Sequence, residues 1–154
     1  MWFKVRPGDL AFAETAAQRF SFDFHTKLSP QETFDRIVEP QFAPSWVADC
    51  KACRWLEPGT IGALRLMELK GLSVEERVIA WEPGKRFAFA IERATVPILR
   101  RMVEDMTLEE SPTGTRVRWT VAFEPRLFAR PLTPILRPRF QKMFAKSAAA
   151  LGAL

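Results

Sequence analysis

The stretch Met102 to Phe123, MVEDMTLEESPTGTRVRWTVAF, decides the fold. Two runs of alternating apolar and polar residues flank the turn Ser111-Pro112-Thr113-Gly114, the signature of a β-hairpin. Pairing about Thr113-Gly114 sets Leu108 opposite Val117, Met106 opposite Trp119, Glu104 opposite Val121 and Met102 opposite Phe123. In this register one face collects the apolar side chains, because side chains alternate across a strand. The other face carries Asp105, Thr107, Glu109, Arg116, Arg118 and Thr120 and is expected to meet water.

Working upstream, strands are predicted at Arg86–Arg93, Ser73–Trp81, Ala63–Leu69 and Cys50–Leu56, with turns at Glu82-Pro83-Gly84-Lys85 and Glu57-Pro58-Gly59-Thr60. A hairpin about Pro83-Gly84 pairs Ala80 with Phe87, Val78 with Phe89 and Glu76 with Ile91. That adds Val74, Val78, Phe87, Phe89 and Ile91 to the apolar face, and Glu75 and Arg77 to the wet one. Arg19 to Thr26 alternates as well, with Phe20, Phe22 and Phe24 turned inward. Ser29-Pro30-Gln31-Glu32 then starts a helix with an N-cap, a proline in its first turn and a capping box. Pro40 and Pro44 keep that helix short and leave room for one more turn before Trp46. Downstream, about Leu132 to Leu151 reads as a long helix, with Pro131, Pro134 and Pro138 crowding its start. The fold class is therefore α+β: a meander of about seven antiparallel strands, two short helices after the first strand, and a long C-terminal helix to cover one face. Residues 1–154 form one domain, with 1–17 an extension of uncertain structure.

The 154 residues are 47% hydrophobic and 27% charged, which suits a globular domain and excludes a disordered, collagen-like or coiled-coil chain. No apolar run approaches the roughly 20 residues of a membrane span, and no signal-peptide pattern is visible. A cytoplasmic protein is expected. The single histidine, His25, lies on the polar side of its strand and has no visible catalytic partner. Cys50 and Cys53, three apart on an extended strand, should face opposite sides about 10 Å apart, too far to share a metal or a disulfide. Glycine-rich phosphate loops are absent. No metal and no cofactor is expected.

Two acids break the pattern of the apolar face. Glu75-Glu76 and Glu104-Asp105 are adjacent within strands, so one of each pair points inward, and the registers select Glu76 and Glu104. A buried carboxylate needs a partner or takes up a proton. Either each ends in a structural salt bridge or at a wet end of the sheet, or both line a water-accessible cavity. Their Cβ atoms should then be roughly 11–12 Å apart, close enough to touch one small ligand.

The order of elements resembles the START-like superfamily of polyketide cyclases, dehydrases and lipid-transport proteins, over about Arg19 to Leu151. The resemblance rests on the capped helix Ser29–Val38 followed by Pro44-Ser45-Trp46, on Glu76-Arg77-Val78 leading to Trp81-Glu82-Pro83-Gly84-Lys85-Arg86-Phe87, and on Gly114-Thr115-Arg116-Val117-Arg118-Trp119. It implies a helix-grip fold, a curved sheet wrapped about the last helix with an apolar cavity between, and binding of lipids, quinones or polyketides. It also implies that Glu76 faces the cavity. The superfamily shares no catalytic motif, and this chain has no tyrosine to serve as a cyclase side chain.

Three functions follow as expectations. The first is binding and transport of an apolar small molecule by Phe34, Ile37, Glu76, Val78, Phe89, Ile91, Glu104 and Met106, together with Trp119, Val121, Leu136, Phe140 and Phe144. The second is a cyclase/dehydratase-type enzyme with Glu76 or Glu104 as the acid–base group. The third uses charge. Residues 1–124 hold 17 Lys/Arg against 18 Asp/Glu, whereas residues 125–154 hold Arg126, Arg130, Arg137, Arg139, Lys142 and Lys146 and no acid. This basic tail is either the solvated face of the covering helix or a transient dock on anionic membrane, with Phe128, Leu132, Ile135 and Leu136 inserting. No recognition motif accompanies it, so nucleic acid is not an expected partner.

Overall fold

The computed structural model describes residues 1–154. β1 (Phe3–Lys4) and α1 (Leu10–Thr15) precede the first long strand, β2 (Gln18–Thr26). α2 (Pro30–Val38), a 3-10 turn at Pro40–Phe42 and α3 (Ala43–Trp46) come next. The meander is β3 (Cys50–Trp55), β4 (Leu64–Leu69), β5 (Leu72–Glu82), β6 (Arg86–Ala94), β7 (Leu99–Ser111) and β8 (Gly114–Pro125). A 3-10 segment at Leu127–Leu132 leads into α4 (Thr133–Gly152). The strands form one curved antiparallel sheet in the order β2-β8-β7-β6-β5-β4-β3, gripping α4. No helix is long and apolar enough to cross a membrane.

The β7–β8 hairpin has the expected register throughout, from Met102↔Phe123 to Leu108↔Val117. The β5–β6 hairpin keeps Val78↔Phe89 and Glu76↔Ile91 but pairs Ala80 with Ala88, not with Phe87. The cause is a bulge that leaves Ile79 without a partner, so that Phe87 pairs with Trp81. Trp81 is thereby returned to the inner side, where its ring meets Phe34 at 5.3 Å and Phe87 at 5.9 Å. Such bulges sharpen the local twist and help the strand bend round the core.

α2 forms as its sequence dictates. The Ser29 hydroxyl accepts from the Glu32 N–H, and the Glu32 carboxylate accepts from the Ser29 N–H. Its buried face, Thr33, Phe34, Ile37 and Val38, closes one end of the core. α4 is divided. Its buried residues, Phe144, Ser147, Ala148 and Leu151, all lie beyond Pro138, which removes one helical hydrogen bond. The Ala48 N–H donates to Ser147 Oγ at 2.9 Å and pins this distal half to the segment after α3. The first half is held chiefly by Arg137, which donates to Gln18 Oε1 and to the Arg19 carbonyl. Arg137 is thus a tether to β2 and not a solvated cation.

Residues 1–17 are integral to the sheet. β6 and β7 pair only from Arg86↔Thr107 to Ala90↔Val103 and then diverge. Phe3–Arg6 fill the gap: Phe3 pairs with Ala94, Val5 N–H donates to the Glu92 carbonyl and Arg6 N–H to the Arg100 carbonyl. α1 then lies on the outer face, where Phe12 and Ala13 cluster with Ala90, Val103 and Ala122. That face is therefore not uniformly wet. Thr120 is buried, its hydroxyl 3.0 Å from that of Ser21. Elsewhere the face carries ion pairs, among them Arg86–Asp105 at 2.7 Å and Arg116–Asp23 at 2.6 Å.

Gly114 has φ +147°, and a Cβ there would collide with the Thr26 carbonyl oxygen. Gly71, at φ +79°, has open space around it. Gly114→Ala should lower stability by more than the ~1–3 kcal/mol of backbone strain alone, and Gly71→Ala by no more than that strain. Urea unfolding of both variants checks this; equal midpoints would mean that the Thr26 approach costs nothing.

Candidate functional site

A cavity lies between α4 and the concave face of the sheet, with about 80 Å3 of room for the centre of a water-sized sphere, space for several waters. Sixteen of its 20 lining residues are hydrophobic. β5, β6, β7 and β8 supply Val74, Phe89, Ile91, Met102, Met106 and Trp119. Trp46, Val47 and Ala48 enter from α3 and the residues after it, and Phe140, Met143, Phe144 and Ser147 from α4. The half-exposed liners are Val47, Leu69, Leu72, Phe140 and Met143. They mark the mouth, between the β4–β5 turn and the first half of α4.

Of the residues expected to bind a ligand, Glu76, Phe89, Ile91, Glu104, Met106, Trp119, Phe140 and Phe144 lie on the cavity wall. Phe34, Ile37, Val78, Val121 and Leu136 lie off that wall. Phe34, Ile37 and Val78 belong to the end capped by α2, which is solid: the Phe34 ring stands edge-on to Trp81 and Phe87. Val121 is fully buried, and the ring of its cross-strand neighbour Phe20 reaches Phe144 at 5.8 Å and fills that side. Leu136 is half-buried one turn before Phe140, beyond the mouth.

The charged and acidic part of the wall is a single corner; the fourth polar liner, Ser147, sits apart on α4 with its hydroxyl taken by the Ala48 N–H and the Met143 carbonyl. Arg65, on β4, stands directly opposite Glu76 on β5, and its Nη2 donates to Glu76 Oε2 at 2.9 Å. Its Nη1 donates to the carbonyl oxygens of Ile37 and Val38, at 3.0 and 3.4 Å, at the end of α2. Phe87, Trp55 and Phe89 surround the guanidinium, with ring centroids 5.1 to 5.7 Å from its central carbon. Arg65 is not among the site residues that strand alternation marks in the sequence. The two-residue turn Lys70-Gly71 would have revealed it, since pairing outward from Leu69↔Leu72 brings Arg65 to Glu76.

Glu104, on β7, has no cationic partner of its own. The Trp119 Nε1–H donates to its Oε1 at 3.1 Å, and Oε2 makes no hydrogen bond within the chain. Burial, reinforced by the nearby Glu76 charge, pushes the Glu104 carboxyl well above the usual carboxylate range. Burial is the strongest influence on Arg65 and works against its charge, but Glu76, through its charge and its hydrogen bond, with smaller help from Cys53 and Glu104, leaves the guanidinium raised on balance. Glu76 is itself shifted upward by burial, with Arg65 pulling it back. One permanent cation is thus matched by one carboxylate, and the second acid keeps its proton. Chemically, Glu76 is committed to Arg65, whereas Glu104 offers a neutral carboxylic acid to the cavity.

The cysteines depart from expectation. A bulge between Cys50 and Ala52 turns both thiols toward the core side of β3, where Cys50 Sγ lies 3.6 Å from Met67 Sδ. Burial pushes the Cys53 thiol up to about 12 and that of Cys50 upward as well, so both are protonated and unreactive. His25 is exposed on the outer face, opposite Arg116. No cluster of three His, Cys, Asp or Glu side chains is arranged to hold a metal ion.

The raised Glu104 carboxyl has a thermodynamic signature. Its folded-state value lies above its unfolded one, so its contribution is fully present below the ordinary carboxyl range and is lost as pH rises through the folded-state value. Each pH unit in that window costs about 1.4 kcal/mol of stability. Glu104→Gln cannot ionise, so its Tm should gain on that of the wild type as pH is raised from 5 to 9. A difference in Tm that stays constant with pH would show that Glu104 ionises normally.

The site can now be set beside known proteins. Residues 17–154 match the family model described as polyketide cyclase/dehydrase and lipid transport. Uncharacterised proteins of Mycobacterium tuberculosis and Mycobacterium bovis are 31% identical to the chain over 132 residues, covering 84% of it and 79% of each relative. A START superfamily protein from Mycobacterium smegmatis superposes with a TM-score of 0.67 at 12% identity, over 84% of this chain and 93% of that one. The ginseng major latex-like protein 151 of Panax ginseng gives 0.69 at 10% identity, over 90% and 97%. The two solved structures share the fold; the match to residues 17–154 makes the chain a member of the polyketide cyclase/dehydrase and lipid transport family.

Proposed function

We propose that this protein binds an apolar small molecule in the cavity between α4 and the sheet and carries it in solution. The observation that supports this reading most is the wall itself: 16 hydrophobic residues of 20, with all three ionisable side chains gathered in one corner. Ligand sites are typically built this way, with a greasy lining and a few convergent polar atoms. Binding is favoured over acid–base catalysis because Glu76 is held by Arg65, leaving Glu104 without a second free titrating group beside it. The resting cavity is smaller than a lipid-sized guest, so loading requires the first half of α4, residues 133–142, which carries Phe140 at the mouth, to swing outward. That half has no buried residue, which keeps the cost of moving it low.

Organic extraction and mass spectrometry of gently purified protein should find an apolar molecule, and a fluorescent apolar reporter such as 1-aminoanthracene should bind the emptied protein. Met143→Trp, at the mouth, should weaken the reporter at least tenfold without lowering Tm. A protein that neither carries nor takes up any such molecule would overturn the reading.

A second reading concerns delivery. Leu127, Phe128, Leu132 and Ile135 are 45 to 73% exposed on the 3-10 segment and the first turn of α4. Arg130 lies on the same segment, and Arg139, Lys142 and Lys146 follow along α4; all four are exposed, and residues 125–154 contain no acid to oppose them. Apolar side chains amid uncompensated cations suit the surface of an anionic bilayer. The protein should float with phosphatidylglycerol vesicles at low salt and release at high salt, as screening demands. Phe128→Ser with Ile135→Ser should abolish flotation; unchanged flotation by that variant, or equal binding to neutral phosphatidylcholine, would refute docking through this segment.

A further inference from the structure

The polar corner limits what kind of molecule the cavity accepts. Its only cation is turned away from a ligand: Arg65 Nη1 and Nη2 donate to two main-chain carbonyls and Glu76, and its Nε, though unpaired, is closed off from the cavity space. A ligand carboxylate would therefore enter without a counter-charge, beside a buried Glu76 that already has the one available partner. Glu104 is different. Its Oε1 accepts from the Trp119 Nε1–H, which makes Oε1 the carbonyl-like oxygen of a neutral acid and leaves the proton on Oε2. Oε2 has no partner in the chain and, unlike Arg65 Nε, is not sealed away from the cavity space. The corner thus presents one unsatisfied O–H donor in an otherwise apolar chamber.

Resting on the binding function proposed above, we infer that the ligand is a neutral apolar molecule whose polar end is a carbonyl oxygen, received by the Glu104 carboxyl. A ketone, quinone or ester carbonyl satisfies the Oε2–H and brings no donor of its own. An alcohol can accept the same O–H, but its own O–H must share Oε1 with the Trp119 Nε1–H or turn to Glu76 Oε1, which Arg65 Nη2 already contacts at 3.5 Å, and a poorly matched polar group costs affinity in an apolar site. A plain hydrocarbon fills the chamber but leaves the Oε2–H unpaired.

The test uses chain-matched probes against the 1-aminoanthracene reporter: 2-undecanone, 2-undecanol, undecane and undecanoate. The ketone should displace the reporter about tenfold more strongly than the hydrocarbon and more strongly than the alcohol or the carboxylate. Glu104→Leu should lose the ketone preference, read within that variant as the ratio of 2-undecanone to undecane displacement. Glu104→Gln, whose amide N–H₂ can take the place of the acid O–H, should keep most of it. The carbonyl stretch of bound 2-undecanone should shift to lower frequency in the wild type and not in Glu104→Leu. Failure of the reporter to bind at all would sink the cavity reading and this inference with it. Reporter binding without a ketone advantage, tighter binding of undecanoate, or an advantage that survives in Glu104→Leu would overturn the inference alone.

Discussion

Arg65 and Glu76 face each other across β4 and β5, with side chains only 4% and 3% exposed, and the rest of the inner face is arranged around that ion pair. Taking two charges out of water is expensive, and such a pair persists only where geometry and further hydrogen bonds compensate. Here the compensation comes from two elements at once. The β4–β5 register sets the charges opposite each other, and the end of α2 lends the carbonyls of Ile37 and Val38 to the guanidinium. Three aromatic rings complete the surroundings, where a delocalised cation is better accommodated than a lysine would be. The pair thereby joins α2 to the sheet and also fixes the charge balance of the cavity, since it leaves no cation for Glu104.

The interior is divided by what covers it. Under α2, rings meet edge to edge and the core is solid, with Phe34 between Trp81 and Phe87. Under α4 the rings of Trp46, Trp119 and Phe144 also pack edge-on, at 5.4 and 5.8 Å, but they form a wall and not a filling. A rigid helix cannot follow a curved sheet along its whole length, and the space left beneath it is the cavity. The outer face is stabilised separately, by the small cluster under α1 and by ion pairs that are partly exposed and individually weak.

Much of the fold was legible because its signals are local. Alternation and turn residues placed the β7–β8 register correctly from Met102 to Phe123, and the Ser29–Glu32 box placed the start of α2. What escaped depends on irregularity or on distance. The bulge at Ile79 shifted the pairing of Ala80 and gave Trp81 a new orientation, and no residue type announces it. A second bulge brought Cys50 and Cys53 to one side of β3. The inward direction of Glu76 and Glu104 is legible from strand parity, whereas that of Arg65 depends on the β4–β5 register, which only the short turn between Leu69 and Leu72 sets. Which apolar residues line the cavity was only half legible. Phe34 and Phe144 are equally greasy, and only the position of the covering helices makes one of them filling and the other wall. The role of Phe3–Arg6 had no sequence signal, since it depends on β6 and β7 drifting apart beyond Ala90.

The uneven anchoring of α4 has a consequence for selectivity. If the cavity loads as proposed, a helix clamped at its far end and tethered at its near end by Arg137 would act as a flap, and the closed space would set no ceiling on the size of a guest. Length would be tolerated, because surplus chain can trail out past Phe140 and Met143. Discrimination then falls to the fixed floor, where β4, β5 and β7 hold their polar atoms in place whatever the flap does.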